Sequence, residues 1–132
     1  MTEICSALIG ISSGAAGFLI LTFWFKPILR YKELKSKILA DLIDYANVIE
    51  INDLSEAYKA RGQERIVISR KHAAELAAAS YYLPQRYLKY INKKGEDPDK
   101  ASVEMIGYSN TYRMEEAEIR VNKINNLLKL WH

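Results

Sequence analysis

An unbroken run of apolar and small residues near the N-terminus constrains this chain most. It extends from Ile4 to Phe25, between Glu3 and Lys26, and contains no charged residue. A helix of this length rises 1.5 Å per residue and is about 33 Å long, which matches the hydrocarbon thickness of a bilayer. The run therefore predicts a transmembrane helix. We accordingly divide the chain into a membrane anchor at 1–26 and a cytoplasmic α-helical domain at 27–132.

The flanks of the run predict a retained span and its orientation. A secretory signal has a basic leader, a shorter apolar core and a small-residue cleavage site, whereas this run follows Glu3 and ends in large aromatic residues. Basic residues crowd its C-terminal side, so the positive-inside rule places the N-terminus outside and the domain in the cytoplasm, as in a bacterial inner-membrane protein. The residues expected at the membrane interface are Trp24, Lys26, Arg30 and Lys32.

Small side chains recur every three or four residues within the run and share one helical face. These are Ser6, Gly10, Ser13, Gly14 and Gly17. Such a face lets two helix backbones approach closely in lipid, which favours self-association or docking on a partner helix. Small residues are also common in membrane helices in general, so the pattern leaves both interpretations open.

The rest of the chain is predicted to be helical throughout. An amphipathic pattern from Ile28 to about Ile51 predicts a long helix, and Pro27 either kinks a continuous helix or starts this second one. Residues 54–60 form a short predicted helix that stops at Gly62. Two further helices are predicted at 63–83 and 85–92, separated by Pro84.

The last predicted helix begins at Asp97, which caps it, and runs about thirty residues to the C-terminus. Its apolar residues include Val103 and Ile106 and then keep an alternating spacing of three and four, which predicts a coiled-coil-like contact within the chain or between copies. The residues assigned to this helical contact are Met114, Val121, Ile124, Leu128 and Trp131. A break at Gly107 to Asn110 is the alternative to an uninterrupted helix.

The predicted fold class is therefore all-α. A single N-terminal transmembrane helix is followed by a cytoplasmic helical bundle or hairpin, in which the first and last long amphipathic helices pack against each other.

Residues that carry chemistry are scarce. The chain has one cysteine, Cys5 inside the run, and two histidines, and it lacks a glycine-rich phosphate loop and a nucleophile elbow. His72 and Glu75 share a helical face but need further ligands to hold a metal. The formal net charge of +3 is mild, which makes nucleic acid an unlikely partner. We expect no enzymatic activity, cofactor or metal.

The segment from Tyr81 to Lys94 interleaves tyrosines with basic residues. Such a surface stacks nucleobases or lies against lipid headgroups. The interpretation we favour is structural, with Leu83, Tyr87, Tyr90 and Ile91 as the inward stripe of a short helix and the basic residues facing water.

These patterns predict a non-enzymatic single-pass membrane protein whose span self-associates and whose cytoplasmic helices form an interaction or assembly module. Its expected partners are the lipid bilayer and either further copies of itself or another protein. An alternative is a small oligomeric pore-forming or membrane-perturbing effector, of the phage-exclusion or cell-suicide type. A third possibility is an accessory subunit whose catalytic partner is a different chain.

Overall fold

The computed structural model describes residues 2–46 and 56–130, and every regular element within them is helical. The predictions that involve Ile49, Leu54 and Trp131 lie outside the described residues. The elements are α1 (Thr2–Ile20), a π-helical turn (Leu21–Phe25), α2 (Lys26–Asp44), α3 (Glu56–Tyr82), α4 (Gln85–Lys93), α5 (Pro98–Ser109) and α6 (Met114–Leu128).

The first three elements form one helix from Thr2 to Asp44, which is long and apolar enough near its N-terminus to cross a membrane. Pro27 has no backbone N–H, and its ring crowds the carbonyl of Phe23 four residues earlier. The helix widens just before this proline, so that the Lys26 N–H donates to the Leu21 carbonyl five residues back. The π-helical turn thus accommodates Pro27 without ending the helix.

α3 runs antiparallel to α2. Near the end of α2, Asp44 pairs with Arg61 at 3.5 Å and the Tyr45 hydroxyl donates to Glu64 at 3.3 Å. At the opposite end of α3, Tyr82 lines a groove that Phe23 also lines. The C-terminal end of α2 therefore lies beside the start of α3, and the turn before α2 lies beside the end of α3.

The predicted stop at Gly62 is wrong, because α3 continues through this residue from Glu56 to Tyr82. Gly62 is buried, and the next turn carries the buried Arg65. Burial of this turn of the helix therefore outweighs the cost of the glycine to the helix, about 1 kcal/mol. The alanine-rich part of α3 then allows α5 to pack closely against it, and this pair forms the most extensive helix contact in the domain.

The uninterrupted helix predicted from Asp97 to the C-terminus is also wrong, and the alternative break is present. α5 ends at Ser109 and α6 begins at Met114, folding back to pack against α5. Side-chain hydroxyls donate to backbone carbonyls near the end of α5. Ser109 Oγ donates to the Ile106 carbonyl at 2.6 Å, and Thr111 Oγ1 donates to the Gly107 carbonyl at 2.8 Å. Short hydroxyl side chains that bond nearby backbone compete with helix continuation.

The predicted cap of α5 is confirmed. The Asp97 side chain accepts from the Lys100 N–H at 3.1 Å, and Pro98 follows in the first turn. α4 ends immediately upstream at Lys93; Gly95, two residues later, has a φ of 86°, and the Glu96 N–H donates back to the Ile91 carbonyl at 3.0 Å. These bonds form a Schellman motif, which requires the left-handed backbone that glycine adopts most easily.

The core lies among α2, α3, α5 and α6, with α4 covering one end. Its α2 members follow the predicted stripe of Tyr31, Leu34, Ile38 and Leu42. α3 contributes on two sides because it lies between α2 and α5, so it lacks a single apolar stripe. The helix that packs along α2 is thus α3, in place of the last helix of the predicted hairpin.

Candidate membrane and interaction surfaces

The apolar helix α1 packs against nothing in the described part of the chain. None of its residues is buried, and its exposed side chains include Ile9, Ile11 and Phe18, each with at least 63% of its surface accessible. Monomeric soluble proteins rarely expose so large a contiguous apolar surface. The described part of the chain therefore leaves this apolar surface uncovered.

The predicted small face of α1 is open. A Cβ added at Gly10, Gly14 or Gly17 would meet no atom within 4 Å beyond the helix itself. Ser6 and Ser13 on the same face are exposed as well. The domain therefore leaves this face uncovered along its length.

The residues predicted for the membrane interface cluster at the junction of α1 and α2. Trp24 lies in the π-helical turn and is 37% exposed, and the side chains of Lys26, Arg30 and Lys32 are exposed on α2. A groove of about 990 Å³ lies beside them, between this junction and the C-terminal end of α3. Its lining includes Phe23, Lys26, Arg30 and Tyr82. Aromatic and basic groups are thus placed together where the apolar segment ends.

The predicted helical-contact residues of α6 lie in the domain's own core. Ile124 and Leu128 are fully buried, and Met114 and Val121 pack against the core as partly buried residues. Their stripe faces α5 and the core, so these side chains are not displayed for another copy of the chain.

The upstream part of the predicted stripe faces outward instead. Val103 is 65% exposed and Ile106 is 49% exposed, because α5 turns its Ala101, Met105 and Tyr108 face to the core. Ile106 also lines a shallow groove of about 400 Å³ between α3 and α5. This groove and Val103 form an exposed apolar surface of the domain.

A buried arginine that the sequence analysis did not single out holds the α5–α6 turn. Arg65 is 1% exposed; its Nη1 donates to the Tyr108 carbonyl at 2.9 Å and its Nη2 to the Thr111 carbonyl at 2.8 Å. The guanidinium also lies 5.0 Å from the centre of the Tyr108 ring. Positive charge at a helix C-terminus is favourable, so Arg65 joins α3 to the end of α5 both by hydrogen bonds and by electrostatics.

A second buried polar group joins α2 to the α4–α5 turn. Glu96 accepts from the Tyr31 hydroxyl at 2.8 Å and from Lys35 Nζ at 3.1 Å. Burial and then the neighbouring Glu96 carboxylate raise the pKa of Tyr31 well above its usual range. Burial also raises the pKa values of Tyr87 and Tyr108. These phenols remain protonated at neutral pH.

His72 joins α3 to α2. Its Nε2 hydrogen-bonds to Asp41, and Glu75 lies 4.0 Å from its Nδ1. Within residues 2–46 and 56–130, no group of three or more histidine, cysteine, aspartate or glutamate side chains is arranged to hold a metal ion. The hydrogen bond between His72 and Asp41 joins α3 to α2.

The tyrosine-rich segment divides between core and surface. Leu83 and Ile91 are buried and Tyr87 is half-buried, as the favoured interpretation predicts. Tyr90, however, is 53% exposed and lies beside Lys94, so its assignment to the inward stripe is wrong. Tyr81 is the most exposed tyrosine of the segment, at 83%.

Comparison of the chain with protein-family models, curated proteins and solved structures gives no match.

Proposed function

We propose that this chain is a single-pass membrane protein whose span associates with further copies of itself and whose cytoplasmic helical domain presents a surface to a protein partner. The observation that carries the proposal is the complete exposure of α1 beside a domain that has its own core. An apolar helix with no partner in its own chain is stabilised when it enters a bilayer.

The small face of α1 supports self-association. Gly10, Gly14 and Gly17 leave open space along one side of the helix, while large apolar side chains occupy the others. In lipid, close backbone packing along such a face replaces the hydrophobic effect as the source of helix association.

Charge supports the orientation. The first turn of α1 carries Glu3, whereas five basic residues follow the span between Lys26 and Lys37 with one acidic residue among them. The positive-inside rule then places the domain in the cytoplasm and the N-terminus outside, and an inner bacterial membrane fits this arrangement.

The partner-facing surface that we propose is the exposed α3–α5 groove with Val103 and Ile106, because the α6 residues predicted for the helical contact pack in the core. We propose no catalytic role for the domain. Its buried polar groups Arg65, Glu96 and His72 each bond to groups of the same chain.

A pair of leucine substitutions on adjacent residues tests the self-association. Gly14 lies on the small face, and Ala15 is turned by about 100° from it, away from that face. We expect Gly14→Leu to reduce the native mass of the full-length protein in mild detergent to that of the monomer. Ala15→Leu should leave the oligomer intact. Equal oligomers for both variants would contradict association through this face.

The same purified protein tests the pore-forming alternative. No charged residue lies between Glu3 and Lys26, and pores for ions are usually lined by charged or strongly polar groups. Liposomes that contain the protein should therefore retain a trapped dye. Rapid dye release that Gly14→Leu abolishes would favour the pore instead.

A further inference from the structure

The C-terminal end of α3 lies level with the end of the apolar segment. Arg61 pairs with Asp44, and twenty-one residues separate Arg61 from Tyr82, the same number that separates Asp44 from Phe23. At 1.5 Å per residue each path is about 31 Å long. Because α2 and α3 are antiparallel, Tyr82 returns to the level of Phe23, and both residues line the same groove.

This corner of the domain exposes aromatic rings. Tyr81 is 83% exposed and Tyr82 is 68% exposed, and their rings meet edge to face with centres 5.3 Å apart. Tyrosine and tryptophan are enriched at the membrane–water interface, where the ring is partly in lipid and the polar group is in water. Trp24 lies at the corresponding level of the span.

The charged residues of the corner itself are all basic, while Glu33 and Glu75 line the groove beside it together with Lys26, Arg30 and Lys37. Residues 76–95 contain no aspartate or glutamate, and their four basic residues, Arg86, Lys89, Lys93 and Lys94, are all exposed. Arg86 lies in the first turn of α4, closest in sequence to Tyr82, and Lys26 and Arg30 line the groove that Tyr82 lines. Basic residues near a membrane surface are attracted to anionic lipid.

The corner is rigidly attached to the rest of the domain. Leu83 and Ile91 are buried in the core, and Tyr87 and Leu88 pack against it. The exposed side chains are therefore held at the level of Trp24 by buried ones.

We propose that the α3–α4 corner, formed by Tyr81, Tyr82 and Arg86, is a second membrane contact. Its phenol rings enter the headgroup layer, and Arg86 binds the phosphates of anionic phospholipids together with Lys26 and Arg30. This contact holds the domain against the membrane, so the orientation of the domain depends on the anionic lipid content. The inference rests on the proposed span.

Single fluorophores on the full-length protein test the proposal. In a Cys5→Ser background, a cysteine replaces Phe18, Tyr81 or Tyr112, and each protein is labelled and placed in lipid nanodiscs with or without anionic phospholipid. Tyr112 is the matched control, since it is an exposed tyrosine next to Thr111, whose carbonyl binds Arg65 near the opposite end of α3. Quenching is measured with nitroxide-labelled lipids and with aqueous iodide.

The probe at position 81 should be quenched severalfold more by headgroup-level nitroxide than the probe at 112, and severalfold less by iodide. The difference should be larger with anionic lipid. Arg86→Glu should reduce it, whereas Arg113→Glu, at an exposed arginine beside Tyr112, should not.

The probe at position 18 separates failure of this inference from failure of the span. Deep nitroxide quenching at 18 with equal iodide quenching at 81 and 112 would overturn the second contact and leave the span intact. Iodide quenching at 18 would overturn both. One further result would overturn the proposal: the probe at 81 stays accessible to iodide in the presence of lipid but is protected from iodide by added RNA. This result would assign the corner to nucleic acid.

Discussion

Replacement of Arg65 should destabilise the domain far more than replacement of any exposed arginine. Arg65→Met keeps a long apolar side chain in the core but removes both donors from the carbonyls of Tyr108 and Thr111. A hydrogen bond from a charged group contributes about 1.5–3 kcal/mol, and removal of one partner from a buried ionic contact typically costs about 3–5 kcal/mol. Methionine avoids the desolvation of a guanidinium, so we expect a net loss of about 3 kcal/mol.

Arg70→Met is the matched control. Arg70 is on the same helix and also contacts the end of α5, through Asn110 Oδ1 at 2.9 Å, but the contact is exposed. Exposed polar contacts of this kind contribute at most about 1 kcal/mol.

The assay is thermal unfolding of the full-length protein in mild detergent, followed by circular dichroism. For a domain of this size each kcal/mol shifts the Tm by about 4–8 °C, so Arg65→Met should lower the Tm by at least about 12 °C. Arg65→Lys should recover only part of the loss, because an ammonium cannot reproduce the planar pair of donors. Equal Tm values for Arg65→Met and Arg70→Met would refute the role of Arg65.

Three further substitutions follow from backbone geometry and titration. Gly95→Ala places a side chain at a φ of 86° and should destabilise the domain by about 1 kcal/mol in the same melting assay. Lys129→Gly relieves a φ of 54° and should raise the Tm; a lower value would contradict the strain. Folding raises the pKa of Tyr31. The protonated phenol therefore contributes fully to the free energy of unfolding below the unfolded pKa of about 10, and this contribution is lost as the pH rises above that value. Stability should therefore fall in alkali, and Tyr31→Phe should make that fall shallower; an unchanged slope would contradict this.

The features of the fold that local sequence specifies were predictable. The α2 stripe through Tyr31 and Ile38 follows the helical period and is buried as expected. Pro84 and the Asp97 cap mark helix boundaries through chemistry that acts within a few residues.

The errors arise where tertiary contacts decide. Gly62 resembles a helix end by itself, but it is buried in the fold and the next turn carries the buried Arg65. The arginine that fixes the end of α5 lies more than forty residues away in sequence, so no local pattern reveals it. The local sequence does offer one signal for this helix end. The hydroxyls of Ser109 and Thr111 donate to the carbonyls of Ile106 and Gly107 near the end of α5.

The candidate surfaces show the same division. The exposed face of α1 was predictable because its residues are spaced within a single helix. The position of Tyr81 and Tyr82 beside the N-terminal end of α2 depends on the antiparallel return of α3, which the sequence does not specify locally.

Disulfide cross-linking within native membranes tests whether the span associates with further copies of itself through its small face. Single cysteines are placed along α1 in a Cys5→Ser background, at positions 10, 14 and 17 on the small face and at 8, 15 and 19 on the opposite side. We expect oxidation to produce cross-linked dimers from positions 10, 14 and 17 and few from positions 8, 15 and 19. A uniform yield, a maximum at position 15 or no cross-linking at any position would contradict self-association of the span through its small face.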